Sequence, residues 1–299
     1  MIAFGCSVTN REFYERFAAP GIRLVAEPDS ELLAREAAGS IFRSYNLFLD
    51  QVAARDDLEA LVLVHQDAEI VDPDFCTKLR RALRDPQVAL IGSAGAIGVR
   101  NIAWWEGAVT WQSFAHSYEE LGGGEISGLT WHPEQTPSYA RTGEVDTIDG
   151  FVIGMSPWAV RELRFDESLG TLHGYDFDLC LQARAAGRKV VTEDLRVIHH
   201  HSLDLIGDEE GWIAAHMRVA EKWDGRMPGV GFAAGGWKQR ARRAEAEAAA
   251  ARLMAALGRY YTERAHTAEH ELAVITRSRS WRMTAPLRAL GRLLRRSRC

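Results

Sequence analysis

The chain has 299 residues, of which 46% are hydrophobic and 26% are charged, a balance that predicts a folded protein with a large core. These proportions exclude a disordered, collagen-like or disulfide-framework protein. The formal net charge is −5, but residues 237–299 hold 15 Lys and Arg against 5 Asp and Glu, so an acidic body precedes a basic segment suited to an anionic partner, either lipid or nucleic acid.

Short apolar runs alternate with helical patterns in the first third of the chain. The predicted elements are a strand over 2–6, a helix over 11–18 ended by Pro20 and Gly21, a strand over 22–26, a helical pattern over 31–54, a strand over 61–65, a helix over 73–84 and a strand over 88–91. Strands separated by helices favour right-handed crossovers and a parallel sheet. The predicted fold class is therefore α/β.

Residues 92–150 are rich in Gly, Trp and His and show little periodicity, which is typical of binding loops in an α/β domain. The elements predicted after them are a strand over 147–153, a helix over 157–163 capped by Ser156, a helix over 176–186 closed by Gly187, strands over 189–192 and 196–199, and a helical segment over 211–223. The Ala-, Arg- and Glu-rich stretch from 237 to about 264 predicts a long exposed helix.

The four cysteines are scattered and form no CxxC pair. They are Cys6, Cys76, Cys180 and Cys299. We expect free, buried thiols in a reducing cytosol. The N-terminus has the pattern of a first strand and lacks the charged region of a signal peptide, and no run reaches the roughly 18 apolar residues of a spanning helix. A soluble or membrane-surface protein is therefore expected.

A buried strand over 61–65 runs directly into polar and acidic residues, and Asp67 follows its end. In open α/β sheets, ligands bind beyond the carboxyl ends of the strands. A carboxylate held there can bind Mg²⁺ or Mn²⁺ together with phosphate oxygens. Capping of the next helix explains this segment alone equally well.

Two acidic residues, Asp176 and Asp178, open the helix predicted over 176–186. One interpretation is capping, because carboxylates stabilise helix N-termini. The other is that Asp176, in the first turn, is a general base that deprotonates a sugar hydroxyl within hydrogen-bond reach. Asp178 is then expected to cap the helix or to support Asp176.

Three consecutive histidines, His199, His200 and His201, end a predicted strand. Adjacent side chains on a strand point to opposite faces, so the three cannot all bind one ion within the strand. A single imidazole that completes a metal site with Asp67 is one interpretation. A polar turn with a buried, hydrogen-bonded histidine is the alternative for the others.

The segment around Asp149 and Gly150 begins a predicted strand, where a glycine after an acid allows a ligand to approach the backbone closely. Trp104 and Trp105 lie in the loop-rich middle of the chain. Their rings could stack on a sugar, although core or interface packing is more frequent for tryptophan.

In this order, these segments resemble bacterial glycosyltransferases of the GT-A fold, in the broad family 2 group, over roughly residues 1–225. The resemblance implies a Rossmann-like, mostly parallel sheet flanked by helices. VLVHQDAEI matches the place of the family's Asp-x-Asp motif, whose last Asp maps to Asp67, while His65 replaces the first. The implied donor-binding residues are Ser7, Asn10, Glu27, Asn46, His65, Gln66 and Asp67. A divalent metal, Mn²⁺ or Mg²⁺, is implied, held by Asp67 and by His199 or His200.

GYDFDLCLQARAAG resembles the family's Glu-Asp-x-Asp-Leu helix, with Tyr175 in place of the Glu and Asp176 as the catalytic base. The residues expected to contact acceptor or sugar are Trp104, Trp105, Asp149, Gly150, Tyr175 and Asp178. The implied activity is inverting, metal-dependent transfer of a sugar from a nucleotide-sugar donor to a glycan or lipid-linked acceptor, as in bacterial cell-envelope polysaccharide synthesis. The alternative, suggested by His65, is a catalytically inactive nucleotide-sugar-binding subunit of a polysaccharide assembly complex.

We expect a glycosyltransferase domain over 1–225, a helical arm over 226–276 and a basic tail over 277–299. The arm permits a homodimer. The tail predicts an amphipathic helix with Met283, Leu287 and Leu290 on one face, suited to anionic lipid, and docking on the acidic body is the alternative. This favours a cytoplasmic protein that is peripheral on the inner face of the plasma membrane. Nucleic-acid binding is disfavoured, because the acidic body lacks a basic and aromatic module.

Overall fold

The computed structural model describes residues 1–99, 102–107, 109–118, 125–127, 142–201, 208–224 and 237–284. Its strands are β1 (Ile2–Val8), β2 (Glu31–Glu36), β3 (Ala60–Val64), β4 (Ala68–Ile70), β5 (Val88–Gly92), β6 (Ala94–Ile97), β7 (Val109–Gln112), β8 (Phe114–Tyr118), β9 (Glu125–Ser127), β10 (Gly143–Val145), β11 (Thr147–Ile148), β12 (Val152–Met155), β13 (Lys189–Thr192) and β14 (Val197–His201). Its helices are α1 (Arg11–Phe13), α2 (Ala19–Val25), α3 (Ile41–Val52), α4 (Phe75–Ala82), α5 (Pro157–Glu162), α6 (Tyr175–Ala185), α7 (Glu209–Lys222), α8 (Trp237–Arg277) and α9 (Arg279–Met283). The chain divides into two compact units, Met1–Glu247 and Ala248–Cys299.

A seven-stranded sheet, in the order β10-β13-β5-β12-β3-β1-β2, forms the core of the first unit. β1 pairs in parallel with β2 and β3, and β5 pairs in parallel with β13. β12 runs antiparallel between β3 and β5, and β10 is antiparallel to β13. Every residue of β3 and β5 is buried, as expected of strands that are covered on both faces. The predicted α/β class, with a mostly parallel sheet, flanking helices and a C-terminal helix, is confirmed.

Two smaller sheets accompany this core. One has the order β11-β6-β7, and the other has the order β4-β14-β8-β9. The second sheet matters for the site. Only three residues separate β4 from the end of β3, and β4 pairs antiparallel with β14. β4 is absent from the sequence prediction, since three residues are too few to show a period.

The strand predicted over 22–26 is wrong, because these residues lie in α2 or directly after it. A π-helical turn over Tyr14–Ala18 joins α1 to α2, so Pro20 lies at the start of a new helical segment, where its missing N–H costs little. Gly21 then lets α2 approach β4 closely. A Cβ on Gly21 would lie 2.4 Å from the backbone N of Ile70.

The helical pattern predicted over 31–54 contains two elements, β2 and α3. Gly39 has φ +89, a backbone conformation that glycine adopts without strain. Ser40 then caps α3 by accepting a hydrogen bond from the N–H of Arg43. The strand predicted over 147–153 is likewise interrupted, and it forms β11 and β12 on either side of a turn at Asp149–Phe151.

Two predicted helix ends are confirmed. Ser156 caps α5 by accepting from the N–H of Ala159, and Gly187 follows α6 with φ +74. Cys6, Cys76 and Cys180 are free and buried, while Cys299 and the rest of the tail beyond residue 284 lie outside the described residues. Among the helices the structure describes, none is both long enough and apolar enough to cross a bilayer. The domain boundaries at 225 and 276 stay predictions.

Candidate active site

The polar segment after β3 is anchored to the ends of two neighbouring strands. The N–H of His65 donates to the carbonyl oxygen of Phe151 over 2.9 Å, which ties the segment to β12. The side-chain oxygen of Gln66 accepts from the N–H groups of Thr9 and Asn10, both over 2.8 Å. The loop after β1 is thereby joined to the carboxyl end of β3, one residue before Asp67.

The pairing of β4 with β14 brings the histidine segment to Asp67. His199 lies opposite Ala68 in the register, and the N–H of His200 donates to the carbonyl oxygen of Asp67 over 2.8 Å. The ring of His199 faces the Asp67 side chain, with Nε2 3.4 Å from Oδ1. Strand alternation determines which histidine shares the site with Asp67.

His200 faces the other side of this small sheet. Its Nε2 lies 2.9 Å from a carboxylate oxygen of Glu69, and its ring stacks on Phe17 with a centroid separation of 3.7 Å. Of the two histidines that the resemblance left open, the structure brings His199 to Asp67. The side chain of His201 lies outside the described part of the structure.

His65, Asp67 and His199 each offer one potential ligand atom, and these atoms all lie within 4.8 Å of one another. Nδ1 of His65 is 3.8 Å from Oδ1 of Asp67. Two imidazoles and one carboxylate form a donor set that fits a divalent transition metal better than Mg²⁺, which prefers oxygen ligands. Burial lowers the pKa of His65, which favours the neutral imidazole that metals bind.

Tyr175, the first residue of α6, contacts this cluster from the side. Its hydroxyl oxygen lies 2.6 Å from Nε2 of His65. A Cβ on Gly150 would lie 2.1 Å from the same hydroxyl, so glycine at this position makes room for the tyrosine. Gly150, predicted to admit a ligand, therefore also admits a side chain of the protein.

The carboxyl group of Asp176, in the first turn of α6, has a raised pKa. Burial and the nearby charge of Asp149 raise its pKa to about 7, although its carboxylate accepts a hydrogen bond of 2.8 Å from the N–H of Phe177. The charges of Asp176, Asp149 and Asp67 each also raise the pKa of Tyr175, after the larger effect of burial. The predicted base and the predicted metal-binding acid therefore lie near the same tyrosine.

Asp149 and Trp104 are joined by a hydrogen bond from the indole Nε1 to the Asp149 carboxylate. Asp149 also accepts from the N–H of Phe151 over 3.2 Å. Trp104 is buried, and Trp105 stacks on Trp212 with ring centroids 6.3 Å apart. Trp104 thus holds Asp149, whose charge raises the pKa of Asp176.

Asp178 connects α6 to α7. Its buried carboxylate accepts from Nε1 of Trp223 over 2.6 Å and forms an ion pair of 2.9 Å with Lys222. Gln182 donates to it as well, over 2.7 Å. These contacts join α6 to α7 through a carboxylate that is only 1% exposed, while the sugar contact and the supporting role expected of Asp178 stay predictions.

Three further predicted donor-binding residues, Ser7, Asn10 and Asn46, lie in the described part of the structure. Asn10 caps α1 by accepting from the N–H of Phe13, and Ser7 is half-buried at the carboxyl end of β1. Asn46 binds the backbone of Phe165 in both directions, with hydrogen bonds of 2.8 and 2.9 Å.

The structure does not bring Glu27 to the site. Its carboxylate forms a two-pronged ion pair with Arg80, which also binds Glu59. Glu59 in turn accepts a hydrogen bond from the amino group of Met1. The network therefore lies at the amino end of β1, whereas Asp67 lies beyond the carboxyl ends of the strands.

Two aromatic residues that lie beside His199, Phe151 and His116, are missing from the sequence interpretation. The Phe151 ring lies 4.6 Å from that of His199. His116, opposite His199 on β8, has its pKa lowered to about 3, mainly by burial. The alternation of FAHSY was a usable strand signal, but only the pairing of β8 with β14 reveals the contact.

Comparisons with known proteins identify the family of this chain. The model of a family described as "Glycosyltransferase like family" matches residues 3–218. A streptomycin biosynthesis protein, StrF, from Streptomyces griseus is 28% identical over 205 residues, which cover 68% of this chain and 67% of StrF.

Two solved structures are similar at low sequence identity. GalNAc-T7 with UDP, GalNAc and Mn²⁺ gives a TM-score of 0.49 at 8% identity, covering 83% of this chain and 54% of the other. The mannosyltransferase PcManGT from Pyrobaculum calidifontis, with GDP-Man and Mn²⁺, gives 0.43 at 12% identity, covering 96% and 83%. The chain spans about half the length of the first of these two structures.

The raised pKa of Asp176 predicts a cost in stability. The folded chain holds the Asp176 proton up to about pH 7, whereas the ordinary value is 3.8, so the unfolded chain releases this proton first as the pH rises. Asp176→Asn should therefore raise the free energy of unfolding, by an amount that grows from pH 4 to 7 and then stays constant. At 1.4 kcal/mol per factor of ten, the upper limit is about 4 kcal/mol.

Denaturant unfolding at pH 4 and pH 8 measures this effect. Asp178→Asn, two residues along the same helix, is the matched control and should destabilise at pH 8, because it removes one of the two carboxylates that pair with Lys222 and the charge that accepts from the buried indole N–H of Trp223. A stability gain in Asp176→Asn that is equal at both pH values would contradict the assignment.

Proposed function

This chain belongs to the glycosyltransferase-like family, and we propose that it transfers a hexose-type sugar from a nucleotide-sugar donor to a hydroxyl of a glycan or lipid-linked acceptor, with inversion. The observation that carries the proposal is the neighbourhood of two groups. His65, Asp67 and His199 offer three ligand atoms within 4.8 Å of one another, and Asp176, with a pKa of about 7, directly follows Tyr175, whose hydroxyl lies 2.6 Å from Nε2 of His65. The first group suits a metal and diphosphate, and the second suits a general base.

In this proposal, His65, Asp67 and His199 hold a divalent ion, and their two imidazoles favour Mn²⁺ over Mg²⁺. When bound, the ion supplies positive charge that stabilises the developing charge of the nucleoside diphosphate leaving group. The donor's nucleoside then lies toward the end of β1. Its proposed contacts there are Ser7, Asn10, Asn46 and Gln66.

Asp176 is the proposed catalytic base. Its carboxylate takes the proton of the acceptor hydroxyl while that oxygen bonds to the anomeric carbon from the face opposite the diphosphate. The bond from the anomeric carbon to the diphosphate breaks, and the electron pair leaves with the diphosphate. Burial and the charge of Asp149 keep the pKa of Asp176 near neutral pH, where a base is most effective. Of the two tryptophans expected at the sugar, Trp104 is buried, so the proposed aromatic contact is with the half-buried Trp105.

The C-terminal part supports a proposal about location. Exposed apolar residues, Leu272, Ile275 and Met283, lie among Arg277, Arg279 and Arg282. Apolar and basic residues together favour the surface of an anionic membrane, where a lipid-linked acceptor is found.

The proposed division of the chain is a catalytic domain over 1–225, an arm over 226–276 that permits a homodimer, and a tail over 277–299. The resulting protein is cytoplasmic and peripheral on the inner face of the plasma membrane, and it serves polysaccharide synthesis.

Asp67→Ala tests the donor and metal site. We expect at least a tenfold loss of Mn²⁺-dependent affinity for a nucleoside diphosphate, because the carboxylate that the two imidazoles share is removed. Titration calorimetry with and without Mn²⁺ measures this change. Asp74→Ala, in which an exposed acid before α4 is removed, is the control and should bind as the wild type does. Unchanged binding by Asp67→Ala would exclude this acid as a ligand.

Asp176→Asn tests catalysis separately from binding. We expect the transfer rate to fall by about 10²- to 10⁴-fold, a range typical of general bases, while the affinity for donor and Mn²⁺ stays the same. The wild-type rate should rise with pH up to about 7, since only the ionised carboxylate accepts the proton. A folded variant with a near-wild-type transfer rate would refute the role of Asp176. A wild-type chain that binds donor but transfers no sugar would favour the inactive binding subunit.

A further inference from the structure

The ring of Tyr175 has little freedom to move. It is buried and packs edge-on against Phe42 and Tyr45, with centroid separations of 6.0 and 5.7 Å. Phe165 contacts it at 6.1 Å. Because Tyr175 is also the first residue of α6, its backbone is fixed by the helix. The position of its hydroxyl is therefore set by packing that involves no ligand.

This fixed hydroxyl points at one nitrogen of one histidine. It lies 2.6 Å from Nε2 of His65, and it is seated against the backbone of Gly150, where a Cβ would approach it to 2.1 Å. A side chain at position 150 would displace the hydroxyl from His65. Gly150 and Tyr175 together therefore fix the orientation of the His65 ring.

The other nitrogen of His65 is left facing the acid. Nδ1 lies 3.8 Å from Oδ1 of Asp67, while His199 presents Nε2 to the same oxygen at 3.4 Å. A neutral imidazole carries its proton on one nitrogen and a lone pair on the other. When Nε2–H donates to the Tyr175 oxygen, the lone pair lies on Nδ1 and is directed at the site.

We propose that Tyr175 is a positioning residue for His65, so that His65 offers Nδ1 and His199 offers Nε2 to the metal. This inference rests on the proposed function, because it assigns ligand atoms in the metal site of that function. It also gives Tyr175 a different role from the sugar contact expected from the sequence. Its buried hydroxyl is hydrogen-bonded to His65.

The test compares two buried tyrosines whose hydroxyls have different contacts. Tyr175→Phe removes the hydroxyl at His65. Tyr45→Phe removes an equally buried hydroxyl one ring away, which makes no hydrogen bond to any residue that the structure describes. The electron paramagnetic resonance signal of free Mn²⁺, titrated with each full-length chain, gives the affinity for the metal alone, without donor or turnover.

We expect Tyr175→Phe to weaken Mn²⁺ binding by 10- to 100-fold, the usual effect of losing the partner of a metal-binding histidine. Tyr45→Phe should stay within twofold of the wild type. Equal affinities in the two folded variants would overturn the positioning role while leaving the metal site of the proposed function intact. A wild-type chain that binds no Mn²⁺ would overturn both.

A second measurement uses the wild-type chain, so it does not depend on how a variant folds. In the Zn²⁺-loaded protein, two-dimensional ¹H–¹⁵N spectra of the imidazoles report which nitrogen carries hydrogen. We expect His65 to retain its proton on Nε2 and His199 to retain its proton on Nδ1. A proton on Nδ1 of His65 in the loaded protein would overturn the assignment of ligand atoms.

Discussion

The antiparallel pairing of β4 with β14 is the contact on which the site depends. It joins a three-residue strand directly after Asp67 to the histidine segment about 130 residues later. Side chains alternate along a strand, so a slip of one residue would turn His199 away from Asp67 and bring His200 toward it. The contacts of His200 with Glu69 and Phe17 stabilise the observed register from the opposite face. The same pairing thus selects one histidine and gives the other a structural role.

The second constraint is the placement of acidic groups around Tyr175. Asp67, Asp149 and Asp176 all act on its hydroxyl, and burying several carboxylates together opposes folding. The chain offsets this cost with hydrogen bonds to Asp149 from Trp104 and Phe151. It also holds α6 in place through the Asp178 contacts with α7. The clustered acids therefore lower the stability of the fold, and they leave Asp176 with a pKa of about 7. Such a value suits the proposed general base.

The sequence was most informative where local chemistry decides the structure. The buried runs of β3 and β5 and the cap at Ser156 follow from composition and spacing, and so does the position of Asp67 after the end of a strand. The choice between His199 and His200 needed β4, which is too short to show a period. Residues 22–25 have the composition of a strand, yet they lie in the helix α2, where Ile22 and Val25 are buried. The position of Glu27 depends on its partner Arg80, which is remote in sequence.

The most direct test of this account is the position of the metal itself. Crystals grown with Mn²⁺ and a nucleoside diphosphate, measured at the manganese absorption edge, show the ion as an anomalous peak. The account predicts one such peak bonded to His65, Asp67 and His199 and shared with oxygens of the diphosphate. A peak bonded to Glu69 and His200, or a bound diphosphate with no manganese near Asp67, would contradict it.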